Sequence, residues 1–204
     1  MRILTRRVAA LAIVSTLTLA GCGGSDSEGE EAPAKDSTSA APSDAPADEA
    51  ETPSGDTIEG TGYSYAVPEG WSTPEQDIPG TEQTDSFAAD LTDTDGFSDN
   101  VNVIRLDPAP LDDLDQLEDG LTAELEGAGS KDVTVGDRVE IDGDEAVAIS
   151  SSQSQAGAEY LTDQFNAIHD GVSYVVTFSF SDTVSEADRQ DLAASVLASW
   201  KWAA

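Results

Sequence analysis

The positions of apolar and polar residues divide the chain of 204 residues into three segments. Residues 8–19 form an apolar run of 12 residues close to the amino terminus. Residues 23–57 contain no Val, Ile, Leu, Met, Phe, Tyr or Trp, and periodic apolar positions begin at Ile58. We therefore predict a leader (1–21), an acidic tether (22–57) and a folded domain (58–204).

Alternating apolar residues predict several short strands in the folded domain. In the first strand, Tyr63, Tyr65 and Val67 share one face. The Asp142-Gly143 pair suits the tight turn of a hairpin, because it tolerates positive φ. Further strands are predicted at 87–91, where Phe87, Ala89 and Leu91 alternate, and at 101–106, 133–135, 139–141, 145–149, 160–168 and 172–180.

Two amphipathic helices are also predicted. The first carries leucines at spacings of three and four residues: Leu111, Leu114, Leu117, Leu121 and Leu125. Gly127 and Gly129 are expected to end it. The second helix follows Ser185, which begins a sequence similar to a capping box, and Trp200-Lys201-Trp202 is expected to form an edge strand or a docked tail. The order of elements predicts an α+β fold, with an antiparallel sheet of six or seven strands flanked by two helices.

This pattern is similar to that of a known family. The sequence Tyr-x-Tyr-x-Val-Pro-x-Gly-Trp runs from Tyr63 to Trp71, and a Val-Asn-Val strand and a leucine-rich helix follow. Two long strands and a last helix then lead into Trp-Lys-Trp. Over residues 60–202 the chain resembles the PsbP-like superfamily, which includes the Mog proteins, and most resembles actinobacterial lipoproteins of the LpqN type. The resemblance implies an α-β-α sandwich used for binding or assembly, without catalytic residues common to the family.

The leader has the features of a bacterial lipoprotein signal peptide. Arg2, Arg6 and Arg7 precede the apolar run, which is too short to cross a bilayer. The run ends in Leu19-Ala20-Gly21-Cys22, which matches a lipobox, and Cys22 is the only cysteine of the chain. We therefore predict lipid attachment at Cys22. Acylation would hold the protein on the outer face of the cytoplasmic membrane, because two or more acyl chains give stable anchoring.

The tether is expected to be disordered, because it has no apolar side chains to bury. Ten acidic residues accompany one cation, Lys35. As a flexible coil the segment would span roughly 30–35 Å, and fully extended it would reach about 120 Å. The predicted role is a spacer between the membrane and the domain.

Charge excludes several classes of protein. The whole chain carries 41 acidic and nine basic residues, a net charge of −32, and the folded domain carries 31 and five, a net charge of −26. Nucleic-acid binding requires a basic surface, so we exclude it, and attraction to anionic lipid headgroups is excluded for the same reason. One Cys and one His cannot build the usual zinc sites.

The acidic loop 90–100 is the strongest local candidate for metal binding. In an EF-hand alignment Asp93 and Asp95 fall on ligand positions 3 and 5, but Leu91 and Asn102 occupy positions 1 and 12. An EF-hand is therefore excluded. A looser calcium site formed by Asp93, Asp95 and Asp99 stays open beside a solvated loop.

The remaining candidates each have a simple structural interpretation. His169 precedes Asp-Gly and is expected to be an exposed turn residue. The acids of the first helix are either a docking face for a cationic partner or divalent ions, or a solvated surface: Asp112, Asp113, Asp115, Glu118, Asp119, Glu124 and Glu126. The tryptophans are expected in the core or at corners rather than in a ligand cage: Trp71, Trp200 and Trp202. The sequence contains neither a Gly-x-Ser-x-Gly elbow nor a phosphate-binding loop.

These observations predict a non-catalytic binding or accessory domain that presents a sheet face or a helix groove to a cell-envelope protein. We expect a monomer, and we assign no catalytic, cofactor-binding or metal-ligating residue. One alternative is a carrier or sensor of a small amphipathic ligand, which requires an apolar cavity lined by residues such as Leu114, Leu117, Phe178 or Trp71. The other is a hydrolase that uses two carboxylates at a defined separation.

Overall fold

The computed structural model describes residues 50–76, 78, 80–155 and 157–203. The predicted leader, Cys22 and residues 23–49 of the predicted tether lie outside the described residues. The described part belongs to one unit, Pro46–Ala204. In this part, no helix has both the length and the apolar character needed to cross a membrane.

The described residues form eleven strands and two helices. The helices are α1 (Leu114–Ala128) and α2 (Glu186–Ala198). The strands are β1 (Thr57–Gly60), β2 (Tyr63–Ala66), β3 (Trp71–Ser72), β4 (Ser86–Asp90), β5 (Asn100–Leu106), β6 (Lys131–Val135), β7 (Val139–Ile141), β8 (Asp144–Gln155), β9 (Ala158–His169), β10 (Val172–Ser181) and β11 (Lys201–Trp202). The predicted α+β class is confirmed.

The strands form two sheets rather than one. The larger sheet has eight antiparallel strands in the order β3-β4-β5-β10-β9-β8-β6, and β7 pairs with β8 beside β6. The smaller sheet has the order β1-β2-β11. The predicted first strand, β2, therefore belongs to the smaller sheet, where it joins the start of the domain to its end. Long-range pairing of this kind leaves no periodic signal in the sequence.

The main core lies between the two sheets and α2. On β10, Tyr174, Val176, Phe178 and Phe180 face this core and are 0–4% exposed, as the alternation predicts. Trp200 is 0% exposed and stacks on two tyrosines of β2. Both tyrosine hydroxyls contact the Ser86 hydroxyl, and burial raises the pKa of both phenols, that of Tyr65 to about 12. The tryptophans at 71 and 200 are therefore core residues.

Helix α1 packs on the opposite face of the large sheet. Leu117 is buried with Val147 and Ile149 of β8, and the other leucines of the helix surround them. The Asp113 side chain accepts a hydrogen bond from the Gln116 backbone N–H, so the helix begins after the predicted first leucine, Leu111, which is 36% exposed. The helix ends at Gly129, which has φ 94°, whereas Gly127 lies inside it.

Helix α2 begins as the sequence predicts. The Ser185 side chain accepts a hydrogen bond from the Asp188 backbone N–H and caps the helix. Ala193, Val196 and Leu197 are buried against the main core. This anchors the carboxyl-terminal half of α2 over the sheet.

Strand β4 lies where it is predicted, and apolar residues occupy both of its faces. Ser86 and Ala88 face the main core, whereas Phe87 and Ala89 lie on the other face. Leu91 follows the strand and is 54% exposed. Alternation alone therefore does not show which face of β4 meets the core.

Charge repulsion predicts that salt stabilises this fold. Four of the five domain cations are already paired with carboxylates, as Arg105, Arg138, Arg189 and Lys201. The excess acids repel one another, and the Debye length falls to about 8 Å at 0.15 M ionic strength. We expect Tm to rise by about 3 °C or more between 10 and 150 mM NaCl, which corresponds to about 1 kcal/mol for a domain of this size. Thermal melts followed by circular dichroism test this, with KCl as the control, and an unchanged Tm would contradict it.

Candidate functional site

The carboxylates of the acidic loop accept hydrogen bonds from backbone N–H groups. The Asp93 side chain accepts a hydrogen bond from the Asp95 backbone N–H, and Asp95 accepts one from Phe97. Asp99 accepts one from the Ser181 backbone N–H at 2.8 Å. Burial raises the pKa of Asp99, and the N–H of Phe97 lowers the pKa of Asp95. Among the described residues, no group of three or more His, Cys, Asp or Glu side chains is placed to hold a metal ion.

His169 lies in a different environment from the exposed turn that the sequence predicts. His169 is the last residue of strand β9, and its side chain is 26% exposed. Its Nδ1 atom lies 2.7 Å from an Asp144 carboxylate oxygen, and its ring stacks on Trp202 at a centroid distance of 4.4 Å. The Asp142 carboxylate accepts hydrogen bonds from Lys201 Nζ and the Trp202 backbone N–H, and the Lys201 bond contributes most to lowering the pKa of Asp142. This cluster attaches β11 to the large sheet.

The acidic surface of α1 carries one internal ion-pair network. Arg138 donates hydrogen bonds from Nη2 to Asp115 and Glu118, at 3.0 and 2.7 Å. It also reaches the Leu114 carbonyl oxygen. Asp119, together with Glu124 and Glu126, is exposed to solvent.

The residues named for an apolar carrier cavity lie in two separate clusters, with Trp71 and Phe178 in the main core and Leu114 and Leu117 under α1. Leu117 and Phe178 are 6% and 0% exposed and belong to different apolar clusters, on opposite faces of the large sheet. Trp71 borders an open depression that it shares with Ser54, Glu69 and Ser72. The other cavities found between the described residues are lined by different side chains. The described residues therefore do not bring this set together around one cavity.

The strongest candidate interface is an uncharged face of the large sheet. Antiparallel register places opposed residues on the same face, so the pairing of β4, β5, β10 and β9 defines it. We call it the uncharged sheet face, and it comprises Phe87, Ala89, Asn100, Asn102, Ile104, Leu106, Thr162, Gln164, Asn166, Ile168, Ser173, Val175, Thr177 and Ser179. None of these residues is ionisable, although the domain carries 31 acids.

Amide and hydroxyl groups cross the middle of this face. One row runs from Phe87 through Asn102, Thr177 and Gln164 on four neighbouring strands. Gln164 Nε2 donates a hydrogen bond to Thr177 Oγ1 at 3.1 Å, and Asn102 Nδ2 donates one to the Thr177 carbonyl at 3.5 Å. In the next row Asn166 is 0% exposed, and neither of its amide atoms has a hydrogen-bond partner among the described residues.

Helix α1 lies beside this face, with Ile168 packed against its apolar cluster, and six of the fourteen residues of the face are buried. The helix packs on β6 and β8, at one edge of the large sheet. At one end of the face, Phe97 stacks on Tyr160 with ring centroids 5.3 Å apart. At the other end, Leu106 is 41% exposed. The result is a sheet surface of hydroxyl, amide and apolar groups with an aromatic pair at its border.

Such a surface can form the centre of a protein–protein interface, because charged residues are depleted from interface cores. The residues of this face had no predicted role. A pattern that could have indicated this face is present in β9 and β10, where alternate residues are uncharged although 25% of the chain is charged.

Comparisons with known proteins find only distant structural similarity. No protein-family profile matches the chain, and no curated protein sequence matches it. Solved structures of similar fold include LpqN of Mycobacterium tuberculosis, described as involved in cell envelope biogenesis, with 12% identity and a TM-score of 0.48 over 68% of this chain and 82% of that one. They also include PsbP of Synechocystis sp. PCC 6803, with 17% identity and a TM-score of 0.45 over 70% and 87% of the two chains.

A third similar structure is a protein of Bacteroides thetaiotaomicron, with 14% identity and a TM-score of 0.47. The match covers 74% of this chain and 49% of that one, so the chain spans about half the length of the Bacteroides protein. The α+β class follows from the described residues themselves, which form two helices and a mostly antiparallel sheet.

Proposed function

We propose that this protein is a lipid-anchored extracytoplasmic binding protein of the PsbP-like superfamily. Its domain acts without catalysis, as an accessory to a protein of the cell envelope, and contacts that partner through the uncharged sheet face. The observation that carries this proposal is the absence of charge from one broad sheet face in a domain of net charge −26.

The physical support is the cost of desolvation. A partner that covered most other parts of this surface would bury carboxylates, and each unpaired buried charge is costly. The uncharged sheet face avoids that cost, since it offers amide and hydroxyl groups for hydrogen bonds and Ile104, Leu106 and Val175 for apolar contact. A second copy of the same chain is disfavoured as the partner, because two domains of charge −26 repel each other.

The anchoring part of the proposal depends on Cys22. Acyl chains on this residue would hold the protein at the membrane, and the acidic tether would keep the domain away from it. Cys22→Ala should move the protein from the membrane fraction or block maturation of its precursor. Unchanged processing and membrane retention of this variant would contradict lipid anchoring without affecting the argument for the sheet face.

Photo-cross-linking in the native cells tests the sheet face. A benzoylphenylalanine probe at Leu106, which is 41% exposed, should capture one defined envelope protein. The matched control is the same probe at Val135, which is 39% exposed on edge strand β6. Asn102→Asp, at a half-buried position of the same row, should abolish capture from position 106, because a partner would then have to bury a charge. Equal capture from both positions, or capture that is unaffected by Asn102→Asp, would overturn the proposal.

A further inference from the structure

A groove lies on the face of the large sheet opposite the uncharged sheet face, and its chemical character is different. On the side that carries α2, strand β8 presents Ala148, Ser150, Ser152 and Ser154, whereas its large apolar residues point to the α1 side. Small side chains beside a helix leave a trench between helix and strand. We call this trench the serine groove.

The serine groove is long enough for an extended polypeptide segment. It consists of three adjoining cavities of about 210, 270 and 250 Å³. The first two cavities share Asp132 and Ser152, and the last two share Ser150 and Gln190. From Ala148 to Ser154 the strand rises about 20 Å at roughly 3.3 Å per residue. A segment of about six extended residues fits this length.

The middle of the groove is held by an internal ion pair. Arg189 of α2 donates a hydrogen bond from Nε to Asp163 at 3.0 Å, and Ser150 donates one to the other oxygen of Asp163 at 2.7 Å. The side chains of Asp163 and Arg189 are 7% and 11% exposed. Because the two charges compensate each other, the pair fixes the wall of the groove and adds no net charge to it.

The rim of the groove is therefore negative. Its remaining charged residues are Lys131 and five acids: Asp132, Asp137, Glu159, Asp182 and Glu186. All five acids are exposed, and none forms an ion pair within the described residues. A cationic occupant would gain from this excess of carboxylates, and an anionic one would be repelled.

The floor offers hydrogen bonds to a polypeptide backbone. Thr134 and Ser152 donate to Asp132, and Gln190 donates to Glu186, so their oxygens can act as acceptors. The Ser154 hydroxyl can both donate and accept. Addition of a strand to the neighbouring edge is disfavoured, because β6 is irregular between Lys131 and Thr134 and Asp132 has φ 52°. An occupant would thus lie over the floor rather than extend the sheet.

We propose that the serine groove binds an extended basic peptide segment of about six residues, with lysine or arginine side chains at the acidic rim and backbone groups on the hydroxyl floor. This site lies on the opposite face from the uncharged sheet face and does not depend on the function proposed for it.

Fluorescence anisotropy with the full chain tests this proposal. The probes are labelled hexapeptides of alternating Ser with Lys, Gln or Glu. The Lys peptide should bind at least ten-fold more tightly than the Gln peptide, and its affinity should fall between 50 and 300 mM NaCl. The triple variant Asp132→Asn, Asp137→Asn, Glu186→Gln should weaken its binding at least ten-fold. Ser152→Trp should abolish binding by filling the floor.

The matched control removes three acids from a different exposed surface. Asp119→Asn, Glu124→Gln, Glu126→Gln on α1 changes the net charge equally and should alter affinity less than two-fold. Equal losses in the two triple variants would show attraction to total charge and overturn the proposal. So would equal binding of the Lys and Gln peptides, or tighter binding of a chitosan oligomer, a cationic glycan, than of the Lys peptide.

Discussion

Trp200→Ala is expected to lower the free energy of unfolding by about 4 kcal/mol, the usual range for a fully buried aromatic side chain. The indole is 0% exposed, and its ring lies 4.5 Å from Tyr63 and 5.2 Å from Tyr65, nearly parallel to both. The substitution removes these contacts and leaves a cavity between the small sheet and α2. Urea denaturation followed by circular dichroism measures the loss.

Two further variants make the result specific. Leu91→Ala changes a side chain that is 54% exposed and should stay within about 0.5 kcal/mol of the parent protein. Trp200→Phe should lose less than half as much as Trp200→Ala, because it keeps an aromatic ring and removes a buried indole N–H that has no partner among the described residues. A loss below about 1 kcal/mol for Trp200→Ala would contradict the central position of this residue.

Arg189→Met is expected to cost about 3–4 kcal/mol, because it leaves the Asp163 carboxylate buried without its cation. The double variant Asp163→Leu, Arg189→Met removes both charges and should recover at least half of that loss. Urea denaturation of the two single variants and the double variant completes a double-mutant cycle. Additive losses in the double variant would show that the two side chains act independently.

The paired arginine also explains how an acidic domain keeps a defined groove. The guanidinium compensates the one carboxylate that folding buries on that side, at 7% exposure. The exposed acids of the groove rim stay hydrated, and they attract or repel an approaching ligand according to its charge. The uncharged sheet face differs, since it carries no ionisable group and only some of its polar groups hydrogen-bond to each other, as Gln164 does with Thr177. The two surfaces therefore favour different partners, and salt should weaken binding at the serine groove more strongly.

Local patterns predicted most of the secondary structure. The leucine spacing gave α1, although capping by Asp113 places its start after Leu111. Asp142-Gly143 has φ values of 46° and 97°, as a tight hairpin turn requires. The environment of His169 was not predicted, because it depends on Trp202, which is distant in sequence and arrives through the pairing of β11.

The candidate surfaces were harder to predict than the elements that form them. The serine groove exists because Ser150, Ser152 and Ser154 face α2 while Val147 and Ile149 face α1. Alternation shows that these two sets lie on opposite faces, but not which helix covers each one. The strand predicted at 145–149 ends before these serines, which had no predicted role.

The sequence by itself determined the α+β class, the two helices, the long hairpins and the distribution of charge, because these depend on local periodicity and composition. It also supplied the prediction of lipid attachment at Cys22, since a lipobox is a contiguous motif. Only the tertiary structure decided that β1 and β2 pair with β11 in a second sheet, that Trp200 stacks on two tyrosines of β2, and that one sheet face is free of charge. These features arise from contacts between residues far apart in the chain, and their energies have no counterpart in the spacing of neighbouring residues.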